Sequence, residues 1–211
     1  MDSTHPSHPE FWDQRYQSGQ TPWDFGGVPA GLSSYLRHHP RGGRVLIPGC
    51  GSGYEIKAFA DAGYAVTALD LSPAAVARAH QVAGPALAPN ILVGDFFAHD
   101  FGAVPFDVIY ERTFLCSLLP ERREAYRNRV AALLRHRGSL LGYFYYQPPG
   151  PAEAGPPFGF AWGAADELFA RYFLLVKDLP VADSVPLFAG RERWQERSRT
   201  AFALPAAPRT A

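Results

Sequence analysis

Apolar residues along the chain fall into short unbroken runs, separated by segments in which they recur every three or four positions. RVLIP (44–48), YAVTALD (64–70), NILVGD (90–95), FDVIYE (106–111) and SLLGYFYYQ (139–147) read as strands. Brief apolar runs bounded by glycine, proline or acids suit strands buried on both faces. Between them, YEIKAFADAG (54–63) puts Ile56, Phe59 and Ala60 on one helical face and stops at Gly63. SPAAVARAHQVAG (72–84) opens with Ser72 as N-cap and a proline in the first turn, then closes on Gly84. PERREAYRNRVAALLRHRG (120–138) reads as one long helix with Tyr126, Val130, Leu133 and Leu134 as its stripe. Strands alternating with helices at this spacing predict an α/β fold, a parallel sheet with helices on both faces.

The two ends of the chain read differently. The first 40 residues are aromatic-rich and irregular to helical, and they must pack over the sheet that follows. Residues 148–160 form a Pro/Gly loop of a length that compact domains keep for covering a site. ADELFARY (165–172) is a short helix, FLLVKDL (173–179) and RERWQERSRTAF (191–202) are two late strands that can close the sheet as a hairpin, and LPAAPRTA (204–211) is a frayed end. The 211 residues suit one domain, 1–211, with 1–40 as a lid segment.

Composition narrows the function. Apolar residues make up 47% and charged residues 19%, as in a globular protein, and the formal charge is zero. A neutral surface argues against nucleic acid or an anionic membrane as partner. Lysine occurs only at Lys57 and Lys177 against many arginines, which reads as genome composition. No signal peptide or membrane-length apolar run is evident. Cys50 and Cys116 fall in segments expected to be buried and reduced, consistent with a cytoplasmic protein. The seven scattered histidines lack ligand spacing, so no metal is expected. No apolar stripe is left over for a partner, which favours a monomer.

The glycines after the first strand carry the chemistry. Gly49-Cys50-Gly51-Ser52-Gly53 is G-x-G-x-G, whereas the dinucleotide fingerprint sets its third glycine further on. Asp70 ends the second strand, where it can take both ribose hydroxyls, and Asp95 follows the third with Phe96 and Phe97 suited to an adenine ring. Three such contacts at successive strand ends favour S-adenosylmethionine (SAM) over NAD. The plain alternative makes Gly51 and Gly53 a tight turn, Asp70 a neighbour of a helix cap and Phe96 core.

From Phe11 to about Trp194 the chain resembles the thiopurine S-methyltransferase-like methyltransferases, a family that includes plant halide/thiol methyltransferases and bacterial relatives. The likeness rests on FWDQRYQSGQTPWD (11–24), VLIPGCGSGYE (45–55), ALDLS (68–72), GDFF (94–97), FDVIYERTFLCSL (106–118), GPPF (155–158) and GRERWQ (190–195). The resemblance implies a Rossmann-like class I SAM-dependent methyltransferase with a seven-stranded, mostly parallel sheet and an N-terminal helical lid. It puts Trp12, Tyr16 and Trp23 on the aromatic positions that cover SAM. It puts Gly49, with Gly51 and Gly53, on the glycine-loop contact, Asp70 and its neighbour Leu71 at the ribose, and Asp95 with Phe96 at the adenine. Glu111 and Arg112 match the acid-Arg pair after strand four in the thiopurine branch, as candidate catalytic residues, with Glu111 also among the cofactor contacts. The plant halide branch lacks that arginine, yet TPWD and TFLCSL are nearer to that branch. Tyr16 stands where the family has tryptophan.

Methyl transfer from a sulfonium is an in-line displacement that chiefly needs alignment and exclusion of water. The expected acceptor is a thiol or sulfide, with halide close behind. N- or O-methylation of a small metabolite would call on a base such as Glu111, and a non-catalytic SAM-binding regulator is the reading outside enzymes. Base-modifying nucleic-acid enzymes usually carry D/N-P-P-[YF] after strand four, which is missing here. Arg112 could hold SAM's carboxylate or an anionic acceptor; its other reading is an ion pair with Glu111 or a surface acid. Tyr145, sharing one face of strand five with Tyr143, and Phe158 of the Pro/Gly loop are candidates for the acceptor wall. Cys116 reads as a small buried hydrophobe.

Overall fold

A computed structural model describes residues 5–39, 42–147 and 155–201. Seven strands, β1 (Gly43–Pro48), β2 (Tyr64–Asp70), β3 (Ile91–Val93), β4 (Phe106–Arg112), β5 (Leu134–Tyr145), β6 (Phe173–Pro180) and β7 (Glu192–Arg199), form one sheet in the order β3-β2-β1-β4-β5-β7-β6. The first five pair in parallel, and β7 runs antiparallel to both β5 and β6. The helices are α1 (Pro9–Gln17), α2 (Ala30–His38), α3 (Tyr54–Asp61), α4 (Pro73–Ala83), α5 (Arg123–Leu133) and α6 (Ala164–Phe169). Each central strand feeds two cores. Val45 and Ile47 of β1 join Ile56, Phe59 and Val76 on one face, while Leu46 joins Ile109, Tyr126 and Phe169 on the other. That is why β1 reads as an unbroken apolar run. Strand order reverses at β1, which lies between β2 and β4. Ligands of open α/β sheets bind beyond the strand ends at such a point.

Local signals place α3 and α4 as expected. The Ser72 hydroxyl accepts from Ala75 N at 3.1 Å, capping α4, whose first residue is Pro73. The long helix expected over 120–138 is divided instead. It begins with a 3-10 turn at Pro120–Arg122, continues as α5 and ends at Leu133. Leu134 already pairs with Phe106 in the β4–β5 ladder, and Arg137 turns back with φ +59°. Leu134 is buried in the sheet, and the following Arg-His-Arg offers no apolar side for a helix to cover. Strand β3 is shorter than the expected 90–95, because Asp95 starts a turn by accepting Phe97 N at 2.8 Å.

The late hairpin forms, with β6 at the sheet edge. Leu174, Val176 and Leu179 of β6 are 56%, 66% and 44% exposed. Exposed apolar side chains are therefore left over at this edge after all, and the ground for expecting a monomer is gone. Cys50 and Cys116 are buried and unbridged. Among the described residues no helix is long and apolar enough to cross a membrane.

Candidate active site

The loop from β1 into α3 is shaped by what approaches it. Gly49 and Gly51 both have positive φ, +59° and +53°. A Cβ on Gly49 would lie 2.5 Å from the Phe114 ring, and one on Gly51 would lie 2.6 Å from the Tyr16 hydroxyl. Only glycine suits both the conformation and the closeness. Gly53 is the left-handed N-cap of α3 and packs on Ala79 of α4. Asp70, at the end of β2, ties this loop to its strand: Oδ2 accepts Gly51 N and Oδ1 accepts Ser72 N, each at 2.9 Å. Burial pushes the Asp70 carboxyl up to about 6, against the pull of those two N–H groups.

The N-terminal segment lies against the same loop. Trp12 and Tyr16 project from α1, and Trp23 meets both, with ring centroids 5.6 and 6.1 Å away and its indole N–H donating to the Tyr16 hydroxyl at 3.3 Å. Two acids pin the segment down. Asp13 accepts from the Ser72 hydroxyl and from Ala74 N at the start of α4. Asp24 accepts from the Ser52 hydroxyl and pairs with Arg78 at 3.3 Å. Neither acid stood out in the sequence, although both lie inside its most particular N-terminal stretch.

Beyond the ends of β1, β2 and β4 opens a cavity of about 700 Å³. Trp12, Tyr16, Trp23, Gly49, Asp70, Leu71, Asp95 and Phe96 line one part of it. Phe114, Cys116, Leu118, Pro156, Leu187 and Phe188 line another. Burial pushes the Cys116 thiol well up, so it stays neutral. A second, smaller recess lies behind the glycine loop, lined by Gly51, Gly53, Asp24, Glu55, Tyr110 and Arg112. Tyr16, Trp23, Gly49 and Thr113 line both spaces, so they stand between them.

Arg112 and Glu111 part company. Neighbouring residues of a strand point to opposite faces, and these two leave β4 on opposite sides. Arg112 faces the recess. Its Nε lies 3.8 Å from Glu55, its guanidinium 4.9 Å from the Phe25 and Tyr143 rings, and its Nη2 is buried without a hydrogen-bond partner. Its ion-pair partner is thus Glu55, and neither Glu111 nor a surface acid. Glu111, 1% exposed, lines neither space. Its Oε1 accepts Leu115 N at 2.8 Å and its Oε2 accepts the Tyr126 hydroxyl at 2.9 Å. Burial pushes that carboxyl up to about 7. Thr113 follows Arg112 at the end of β4 and is held at φ +58°, a conformation costing a β-branched residue on the order of 1–3 kcal/mol.

The structure does not bring every acceptor candidate to the cavity. Tyr145 is buried behind the wall against Phe188, with ring centroids 5.0 Å apart, and Phe188 is the ring that lines the space. Phe158 is held by its backbone: its N–H donates to Cys116 O and its carbonyl accepts from Arg123. Its loop neighbours Pro156 and Pro157 face the cavity instead. Residues 148–154 of that loop lie outside the described residues. Sequence reasoning missed Leu187 and Phe188, which carry no local signal.

A cradle that Cβ atoms would fill, a buried acid at the end of β2 and an orphaned guanidinium nitrogen beside the glycine loop all fit SAM. The fold agrees. A Burkholderia thailandensis N1-methyltransferase of 1,6-didemethyltoxoflavin, solved with S-adenosylhomocysteine, superposes with a TM-score of 0.71 at 23% identity, covering 91% of this chain and 87% of that one. The model of the thiopurine S-methyltransferase (TPMT) family matches residues 7–195, and the chain belongs to that family. This fold, with membership of the thiopurine S-methyltransferase family, makes the chain a class I SAM-dependent methyltransferase. Probable thiol methyltransferase 2 of Arabidopsis thaliana is 33% identical over 153 residues, 70% of this chain and 66% of the relative, so the match spans just under two thirds of that protein. A thiopurine S-methyltransferase of Xanthomonas campestris pv. campestris is 30% identical, covering 85% of this chain and 90% of its own.

Proposed function

We propose that this enzyme transfers the methyl group of SAM to the sulfur of a small thiol or sulfide. The observation that carries the reading is the wall of the cavity around Phe114, Leu118, Pro156, Leu187 and Phe188. Among the described residues the cavity's only histidine is His5 of the N-terminal segment and its only carboxylates are Asp70 and Asp95 at the strand ends, and none belongs to the lining residues of 114–118, 156–157 or 187–188. A hydroxyl acceptor needs such a base, whereas a thiol or sulfide gives its proton to solvent before it enters and attacks as the anion. The two relatives whose names specify thiol and thiopurine acceptors support the same choice.

SAM supplies a methyl group already activated on a sulfonium, so the chain's work is holding and drying the site. In this reading Asp70 takes the ribose hydroxyls, and Leu71, Asp95 and Phe96 flank the adenine. Arg112, set in the recess rather than in the main cavity, takes the methionine carboxylate in a charge-assisted pair. Trp12, Tyr16 and Trp23 cover the sulfonium and present ring faces to its charge. The apolar wall strips water from the acceptor, and a desolvated thiolate is the stronger nucleophile. The reducing cytoplasm is the compartment this chemistry suits.

The test is S-adenosylhomocysteine formation with bisulfide, an alkyl thiol, an aryl thiol, a thiopurine, iodide and a phenol, each product identified by mass. Turnover of the sulfur acceptors is expected. Turnover of iodide alone moves the enzyme to halides, and turnover of the phenol alone removes the sulfur reading.

A further inference from the structure

Glu111 is a fully buried acid that the reaction above leaves without a task, yet it holds a loop that lines the cavity. Its carboxyl is reached from two sides, by Leu115 N of the loop after β4 and by the Tyr126 hydroxyl of α5. The first contact caps the 3-10 turn Leu115–Ser117. That turn belongs to a loop whose Thr113, Phe114, Cys116, Ser117 and Leu118 all line the cavity. The loop starts with Thr113 in a left-handed conformation that a threonine does not adopt unforced. It brings the Phe114 ring so close over Gly49 that no side chain fits between them.

We infer that Glu111 is a positioning residue: its carboxyl holds the strained loop 113–118 in the path that sets Phe114 on the glycine loop and Cys116 and Leu118 on the cavity wall, and it moves no proton in the reaction. The inference rests on the cavity being the reaction site. Either protonation state can do this. A carboxylate accepts from both donors, and a neutral carboxyl accepts Leu115 N while donating to the Tyr126 oxygen. Glutamine has the same shape and reproduces the second arrangement, its oxygen accepting Leu115 N and its amide N–H donating to the Tyr126 oxygen, so Glu111→Gln keeps the clamp and Glu111→Ala removes it.

The decisive comparison is of these two variants with Tyr126→Phe, which removes only the second contact. Each is measured for acceptor KM, kcat, SAM affinity and amide hydrogen exchange over residues 113–118. Glu111→Gln is expected to keep kcat within about threefold. Glu111→Ala raises acceptor KM and SAM Kd by about tenfold each, as for a lost buried contact, and speeds exchange over 113–118. Tyr126→Phe moves the same quantities less far. The pH profile adds an independent readout. Tyr126 and Cys116 are the titratable groups facing Glu111, and burial keeps both neutral. Glu111 itself is raised from 4.5 to about 7 in the fold. Its contribution to stability is therefore complete below its ordinary value and lost as pH rises through 7. Wild type loses stability over that range, and Glu111→Gln loses less.

Loss of turnover in Glu111→Gln with exchange at 113–118 unchanged would show that the group carries a proton and overturn the inference. So would Glu111→Ala with unchanged KM and exchange. Should the alanine variant not fold, the glutamine and Tyr126→Phe results still decide. Wild type silent on every acceptor defeats the sulfur reading alone, since SAM affinity and loop exchange continue to report the clamp.

Discussion

The two parts of the cavity are built on different plans. The part at β1 and β2 is organised around one continuous stretch, Gly49 to Ser72, in which backbone N–H groups and Asp70 hold the shape, with Trp12, Tyr16, Trp23, Asp95 and Phe96 closing over it. The part around Phe188 is assembled from the loop after β4, the prolines 156 and 157, and the turn before β7. It offers apolar surface in place of hydrogen bonds. Local construction suits a ligand that does not vary, because a short segment can fix distances on its own. Assembly from distant loops lets the acceptor wall change without disturbing the first part, which fits a family whose members carry different acceptors in their names.

Substitutions can break this division, and the largest effect is expected at Asp70. Asp70→Ala should weaken SAM binding by about 100-fold, the scale of lost hydrogen bonds to a buried charge, as read by calorimetry. Asp95→Ala should cost far less, because Asp95 is exposed. Gly51→Ala comes next. It places a methyl group against the Tyr16 hydroxyl and should cost about tenfold in SAM affinity from strain and displacement. Tyr16→Phe in the same chain should recover part of that loss. If it recovers none, the lid does not sit where this account needs it. Leu187→Ala, at the other part, should raise the acceptor KM about three- to tenfold, the worth of a few methylenes, while SAM Kd stays constant. The smallest effect is with pH. Asp70 is raised from 3.8 to about 6 by burial, so SAM affinity should fall as pH drops through 6 and the acid loses its capacity to accept two hydroxyls. In the unliganded protein Asp70's own contribution to stability has the opposite sign, complete below its ordinary value and lost as pH rises through 6.

What was legible in the sequence follows the same division. The stretch 44–84 reads correctly because its signals are local: glycine stops, the Ser72 cap and apolar runs of strand length. The end of α5 was misplaced because Leu134 is claimed by a strand 28 residues earlier, a tertiary preference that helix periodicity cannot register. Leu187 and Phe188 were invisible for a related reason, since only the long-range pairing of β7 with β5 carries them to the cavity. Glu111 was different. The alternation of a strand already says that Glu111 and Arg112 cannot face one pocket, and reading them as a pair overrode it. Tyr143 and Tyr145 against Phe144 and Tyr146 follow that alternation without exception.

The measurement that bears most directly on the account is a crystal structure with S-adenosylhomocysteine and an S-methylated thiol bound together. The ribose hydroxyls should lie on Asp70, the amino-acid tail should enter the recess at Arg112, and the methylated sulfur should rest between Phe114, Leu118 and Leu187. A tail directed into the main cavity, or a thiol bound away from that wall, would contradict the division on which the function proposed here depends.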